Sequence, residues 1–106
     1  MSARERNKGA AFEREVCRLL SEHFGEPVCR CLDQSRDGGA DIHVRGWSIE
    51  AKRRARVAGL YDWLAQAGDG AADFETPVVV LRADRKPALV VMALDDWLDA
   101  MGGTHR

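Results

Sequence analysis

Along the first quarter of the chain, Phe12, Val16, Leu19, Leu20, His23 and Phe24 fall at i, i+4, i+7, i+8, i+11 and i+12. That spacing is one stripe of an amphipathic helix. It predicts a helix over 8–24, ended by Gly25 and kept from resuming by Pro27. Val28 to Leu32 reads as a short strand, and Asp33-Gln34-Ser35-Arg36-Asp37-Gly38-Gly39 as a loop. Ala40–Val44 and Trp47–Lys52 alternate as strands should, with Arg45-Gly46 between them as a two-residue hairpin turn of open type.

A second helical stripe follows in Leu60, Trp63, Leu64, Ala67 and Ala71, and Gly68-Asp69-Gly70 should fray or break it. Val78-Val79-Val80-Leu81 and then Ala88–Met92 are continuous apolar runs, the pattern of strands covered on both faces. Leu94, Trp97, Leu98 and Met101 form a last short stripe, with Asp95 and Asp96 near its N-terminus. The element order is α-β-β-β-α-β-β-α, and a mixed sheet with helices packed on it is the natural α/β architecture.

The chain of 106 residues is one domain's worth, with 1–7 and 102–106 expected to be flexible. A core this small makes a homodimer a reasonable expectation. No run approaches the roughly 20 apolar residues needed to cross a bilayer, and the start lacks a secretory apolar region. We expect a cytoplasmic protein with no membrane partner. Cys17, Cys29 and Cys31 are odd in number and read as buried reduced thiols.

The net charge of −1 announces no polyanion binder, but its distribution is uneven. Residues 1–56 hold twelve basic against nine acidic side chains; residues 57–106 hold four against eight. One phosphate-facing side is the functional reading, and a solvated charge mosaic the bland one.

Alternation puts Ser48, Glu50 and Lys52 on one face of their strand, and Asp41 and His43 together on theirs. If Arg45-Gly46 alone is the turn, Val44 pairs with Trp47 and Ile42 with Ile49, so Asp41 lies opposite Glu50. Opposed side chains have Cβ atoms roughly 4.5–5.5 Å apart, a destabilising distance for two carboxylates. A hard divalent cation explains the pair; an exposed face on which acids are merely tolerated does not. Glu13, at about 100° per residue, also falls inside the apolar sector of the first helix. A carboxylate turned inward is rare unless paired or linked to metal.

Gly39-Ala40-Asp41-Ile42 followed by Ile49-Glu50-Ala51-Lys52 resembles the motif of the PD-(D/E)XK nucleases, with Ala40 where the name-giving Pro would stand. With the acid on the leading helix and the opening Arg6-Asn7-Lys8-Gly9-Ala10-Ala11-Phe12-Glu13, the chain looks like the archaeal-type Holliday junction resolvases and related phage or prophage nucleases. The resemblance runs from about Lys8 to Ala67. It implies a restriction-endonuclease-like fold and hydrolysis that leaves a 5′-phosphate and a 3′-hydroxyl. It also implies that Asp41, Glu50 and the main-chain carbonyl of Ala51 ligate Mg²⁺ (Mn²⁺ as substitute), that Glu13 completes the shell, and that Lys52 orients or deprotonates the attacking water. Gln66 resembles an accessory helical Gln near the site.

For DNA contacts the expectation is Lys8, Ser35, Arg36, Arg53, Arg54 and Arg56. A solvated basic patch and an ordinary surface loop are the plain alternatives. His43 is more often a satisfied sheet histidine than a ligand. The expected function is a homodimeric, structure-selective DNA endonuclease acting on four-way junctions. A flap, nicking or general repair endonuclease, or a non-catalytic DNA-binding module, is the alternative.

Overall fold

The computed structural model describes residues 3–30 and 42–102. The loop with Ser35 and Arg36, together with Cys31, Asp41 and the tail from Gly103, lies outside them. The described elements are α1 (Ala3–Phe24), β1 (Ile42–Val44), β2 (Trp47–Arg54), α2 (Leu60–Asp69), β3 (Thr76–Ala83), β4 (Leu89–Val91) and α3 (Leu94–Met101). The four strands form one mixed sheet in the order β1-β2-β3-β4, the α/β architecture expected and consistent with a restriction-endonuclease-like fold.

The β1–β2 hairpin has the anticipated register, Ile42 with Ile49, His43 with Ser48 and Val44 with Trp47. Arg45 (φ 49°) and Gly46 (φ 85°) both adopt positive φ, as a primed two-residue turn requires. Arg45 is held in that conformation by a two-point contact with Glu26 and by the Phe24 ring, 4.9 Å away. β2 and β3 are parallel, Glu50 beside Val79, and α2 is the crossover between them.

α1 covers one face of the sheet. Phe12, Val16 and Cys17 pack there with Ile42, Val44, Ile49 and Val78. The other face receives α2, whose Ala67 is fully buried and whose Ala67 carbonyl accepts the Ser48 hydroxyl at 2.9 Å.

Several expectations are corrected. α1 begins at Ala3, so residues 3–7 are helical; Ala3-Arg4-Glu5-Arg6 are good helix formers that carry no apolar signal. Its buried face turns toward Cys17 and leaves Leu19 and His23 exposed. The Val28–Leu32 strand reduces, in its described part, to a single bridge from Arg30 to Ile42. β4 is an edge strand, with Leu89 and Val90 exposed rather than covered on both faces. Cys29, too, is exposed, whereas Cys17 is buried as expected.

Candidate active site

Glu50 stands in the middle of β2, on the face that α2 covers, with only 7% of its surface exposed. Burial places it there because the neighbours on its own face, Ser48 and Lys52, are likewise withdrawn from solvent. One carboxylate oxygen, Oε2, accepts from Lys52 Nζ at 3.0 Å. The other, Oε1, is buried and has no hydrogen-bond partner among the described residues. A buried acceptor left unpaired costs roughly 1–3 kcal/mol, more if charged, so its presence asks for a ligand.

Burial pushes the Glu50 carboxyl above the ordinary carboxylate range. The Lys52 hydrogen bond and charge pull the other way, the Glu13 charge adds to the rise, and Arg54 opposes it. Removal from water outweighs the adjacent cation here. Lys52 is itself 14% exposed, and its ammonium lies 6.0 Å from the centre of the Trp63 ring. Arg54, two residues on and on the same face, has its guanidinium 5.6 Å from that ring. α2 thus supplies an aromatic floor that holds two cations beside Glu50.

Glu13 is turned inward, as its helical angle requires, but its carboxylate is engaged by Arg30. The bridge of Arg30 to Ile42 brings this guanidinium against α1. The sequence reading missed Arg30; the only signal was a cation on a short segment that had to lie beside the hairpin.

His43 lies on β1 opposite Ser48, with Nδ1 at 3.0 and 3.1 Å from the two carboxylate oxygens of Glu75. The Ala72 amide also donates to Glu75, at 2.9 Å, which fixes the carboxylate. His43 Nε2 is buried without a partner among the described residues, so the ring is satisfied on one side only. Gln66 is half-buried, with Oε1 also lacking a described partner. Ala51 points to the opposite face from Glu50 and packs against the core under α1.

The basic run at the end of β2 divides between the two sheet faces. Arg53 turns to the α1 side and shares Asp84 with Lys8, whose Nζ is 3.1 Å from Oδ1. These two cations hold the Asp84 carboxyl below its usual range. Arg54 turns to the α2 side and Arg56 is exposed, so the run does not act as one contiguous patch.

A hard cation would suit the donor set around Glu50, where a buried carboxylate oxygen is unpaired and a second acid acts on it electrostatically. Among the described residues, no group of three or more His, Cys, Asp or Glu is arranged to hold a metal. Asp41, the expected first ligand, lies outside them. Nor is any described helix long and apolar enough to cross a membrane.

A mixed α/β sheet with a buried Glu-x-Lys on its central strand and an acid on the leading helix defines a nuclease-like class. The chain belongs to the family described as phage putative PDDEXK endonuclease, whose model matches residues 4–104. The match takes in the whole sheet and, but for Ala3, all three helices. No curated protein and no solved structure matches the chain.

Proposed function

We propose that this chain is a metal-dependent, structure-selective DNA endonuclease whose substrate is a four-way junction. The observation that carries the reading is Glu50, a buried carboxylate with one oxygen on Lys52 and the other unpaired among the described residues. Family membership supports phosphodiester hydrolysis, and the step from there to Mg²⁺ and to junctions is our own.

In this reading Asp41, Glu50 and the Ala51 carbonyl hold Mg²⁺ (or Mn²⁺), with Glu13 contributing once Arg30 releases it. When bound, the ion polarises the phosphoryl oxygen and eases ionisation of water. Lys52 Nζ, held by Glu50 and backed by Trp63, orients the attacking water and offsets charge on the phosphorus. Water attacks, the bond from phosphorus to the 3′-oxygen breaks, and that oxygen takes a proton to leave a 3′-hydroxyl and a 5′-phosphate. Arg54 and Arg56, with Ser35 and Arg36, bind flanking phosphates; Lys8 and Arg53 join them if Asp84 yields them. Gln66 Oε1 is available to a water or to substrate. No described helix resembles a recognition helix for bases, which favours selection by DNA shape.

The test is cleavage of four-way, flap, nicked and linear DNA in Mg²⁺ and in EDTA. Four-way DNA should be cut best, and only with metal. Asp41→Asn and Glu50→Gln should each lower the rate at least about 100-fold. Cleavage that survives both changes sinks the site, and preferential cutting of flaps or nicks replaces the junction assignment. Metal-independent binding with no product in Mg²⁺ or Mn²⁺ would make the chain a non-catalytic DNA-binding module.

A further inference from the structure

Leu81 is the register partner of Lys52 on β3, and Leu89 pairs with Leu81 from β4, so both leucines share the sheet face of Glu50 and Lys52. A pocket of about 560 Å³ opens there, between the segment after β2 and the β3–β4 turn. Leu81, Leu89, Pro87 and Val57 give it apolar walls, Arg56 and Lys86 stand on its lining, and no carboxylate does. These two cations differ from the basic side chains nearby. Lys8 and Arg53 are taken by Asp84 and Arg30 by Glu13, whereas Arg56 and Lys86 make no ion pair among the described residues. Lys86 is also held in place: its amide donates to the Ala83 carbonyl at 3.2 Å, and its carbonyl accepts from Arg82 Nε at 3.0 Å. Within this turn Arg85 takes a positive φ of 64°, a conformation costly for any residue but glycine. In the order of residues Lys86 falls in the acidic half of the chain; the fold carries it to the basic end of β2.

We propose that this pocket receives one unpaired nucleotide of a DNA strand running past Lys52. Its base and sugar lie against Leu81, Pro87 and Leu89, and the phosphates on either side meet Arg56 and Lys86. The size and the make-up, apolar with a few polar groups, are those of a site for a small organic ligand. The ligand that fits is flat and apolar at its centre and anionic at its ends. The pocket begins one to two strand spacings from Lys52, roughly 5–10 Å, so a single strand spans both without leaving the sheet face. An acidic peptide would also match the two cations, but continuity with Lys52 and Arg54 on the same face favours a phosphodiester chain. A stacked base shows only its edge, so entry needs a nucleotide out of the stack, which costs least where pairing is already interrupted. The substrate class is then DNA with an unpaired nucleotide, as at a branch point, rather than continuous duplex. That this nucleotide flanks the cut rests on the nuclease reading above; its capture by the pocket does not.

The test is fluorescence anisotropy of the full chain in EDTA with three labelled DNAs: a duplex with one unpaired nucleotide, the same duplex fully paired, and one with an abasic sugar at the unpaired position. The unpaired nucleotide should bind at least about 10-fold tighter than the paired duplex, and the abasic sugar should lose most of that gain. Leu89→Gln, at a half-exposed position, should erase the gain and leave the salt dependence of binding unchanged, with circular dichroism as in wild type. Arg56→Ala and Lys86→Ala should each weaken all three complexes and lower the salt slope by about one. Three results would overturn the proposal: equal affinity for paired and unpaired DNA, which makes the pocket a grip on duplex phosphates; a gain that survives Leu89→Gln, which places the base elsewhere; or binding indifferent to Arg56 and Lys86, which leaves the pocket to another ligand. Because these are read without metal, a failure to cleave in Mg²⁺ would sink the nuclease reading and leave the binding result standing.

Discussion

The two edges of the sheet solve opposite problems. At the β1–β2 edge, polar and charged groups have been drawn inside: Glu50, Lys52 and His43 are largely withdrawn from water, and two of them keep a buried atom without a described partner. At the β3–β4 edge, apolar groups have been left outside, on β4 and along α3. Neither arrangement is what folding alone favours, since an unpaired buried acceptor and an exposed Trp both cost stability.

The contrast breaks most sharply at the core beneath the first edge. Ile49→Ala, beneath Phe12 and Val16, should cost about 2–5 kcal/mol in urea unfolding. Leu89→Ala at the second edge should cost less than about 0.5 kcal/mol when measured on the monomer. Equal losses would mean that β4 is more buried than it stands here. In catalysis, Lys52→Ala should lower junction cleavage by at least about 100-fold, and because it leaves the buried Glu50 Oε2 without its partner it should also cost about 1–3 kcal/mol in urea unfolding.

A subtler sharpening uses pH. Because burial raises the Glu50 carboxyl, its ionised form is disfavoured by the fold. Its contribution to stability is therefore full below the unfolded value, near 4.5, and is lost as pH rises through the higher folded value. Glu50→Gln should match wild type in melting temperature at acid pH and exceed it at neutral pH in EDTA. Added Mg²⁺ or Mn²⁺ should narrow that gap by stabilising wild type alone. A variant less stable than wild type at neutral pH in EDTA would show that the Lys52 contact outweighs burial. Smallest of all, Glu26→Gln in the exposed pair with Arg45 should move the melting temperature by no more than about 1 °C.

The hairpin was legible because strand alternation and a two-residue turn leave one register, and every described pair obeys it. Glu13 was legible as an inward carboxylate from helical geometry alone. Arg30 as its partner was not, since a cation on a short stretch carries no periodicity. The same holds for Glu75 beside His43, thirty-two residues apart and joined only when β3 lies against β2. Arg53 and Arg54 read as one patch because they are adjacent, but adjacency on a strand means opposite faces.

By itself, then, the order of residues determined the α/β alternation, the hairpin register and the face shared by Ser48, Glu50 and Lys52, because these follow from periods of 3.6 and 2 that are local. Only the tertiary structure decided that Glu50 keeps an oxygen unpaired among the described residues, that Trp63 floors Lys52 and Arg54, and that the apolar run of β4 ends at an open edge. Burial and pairing depend on which distant segments arrive, and apolar composition is the same whether a strand is central or last in its sheet.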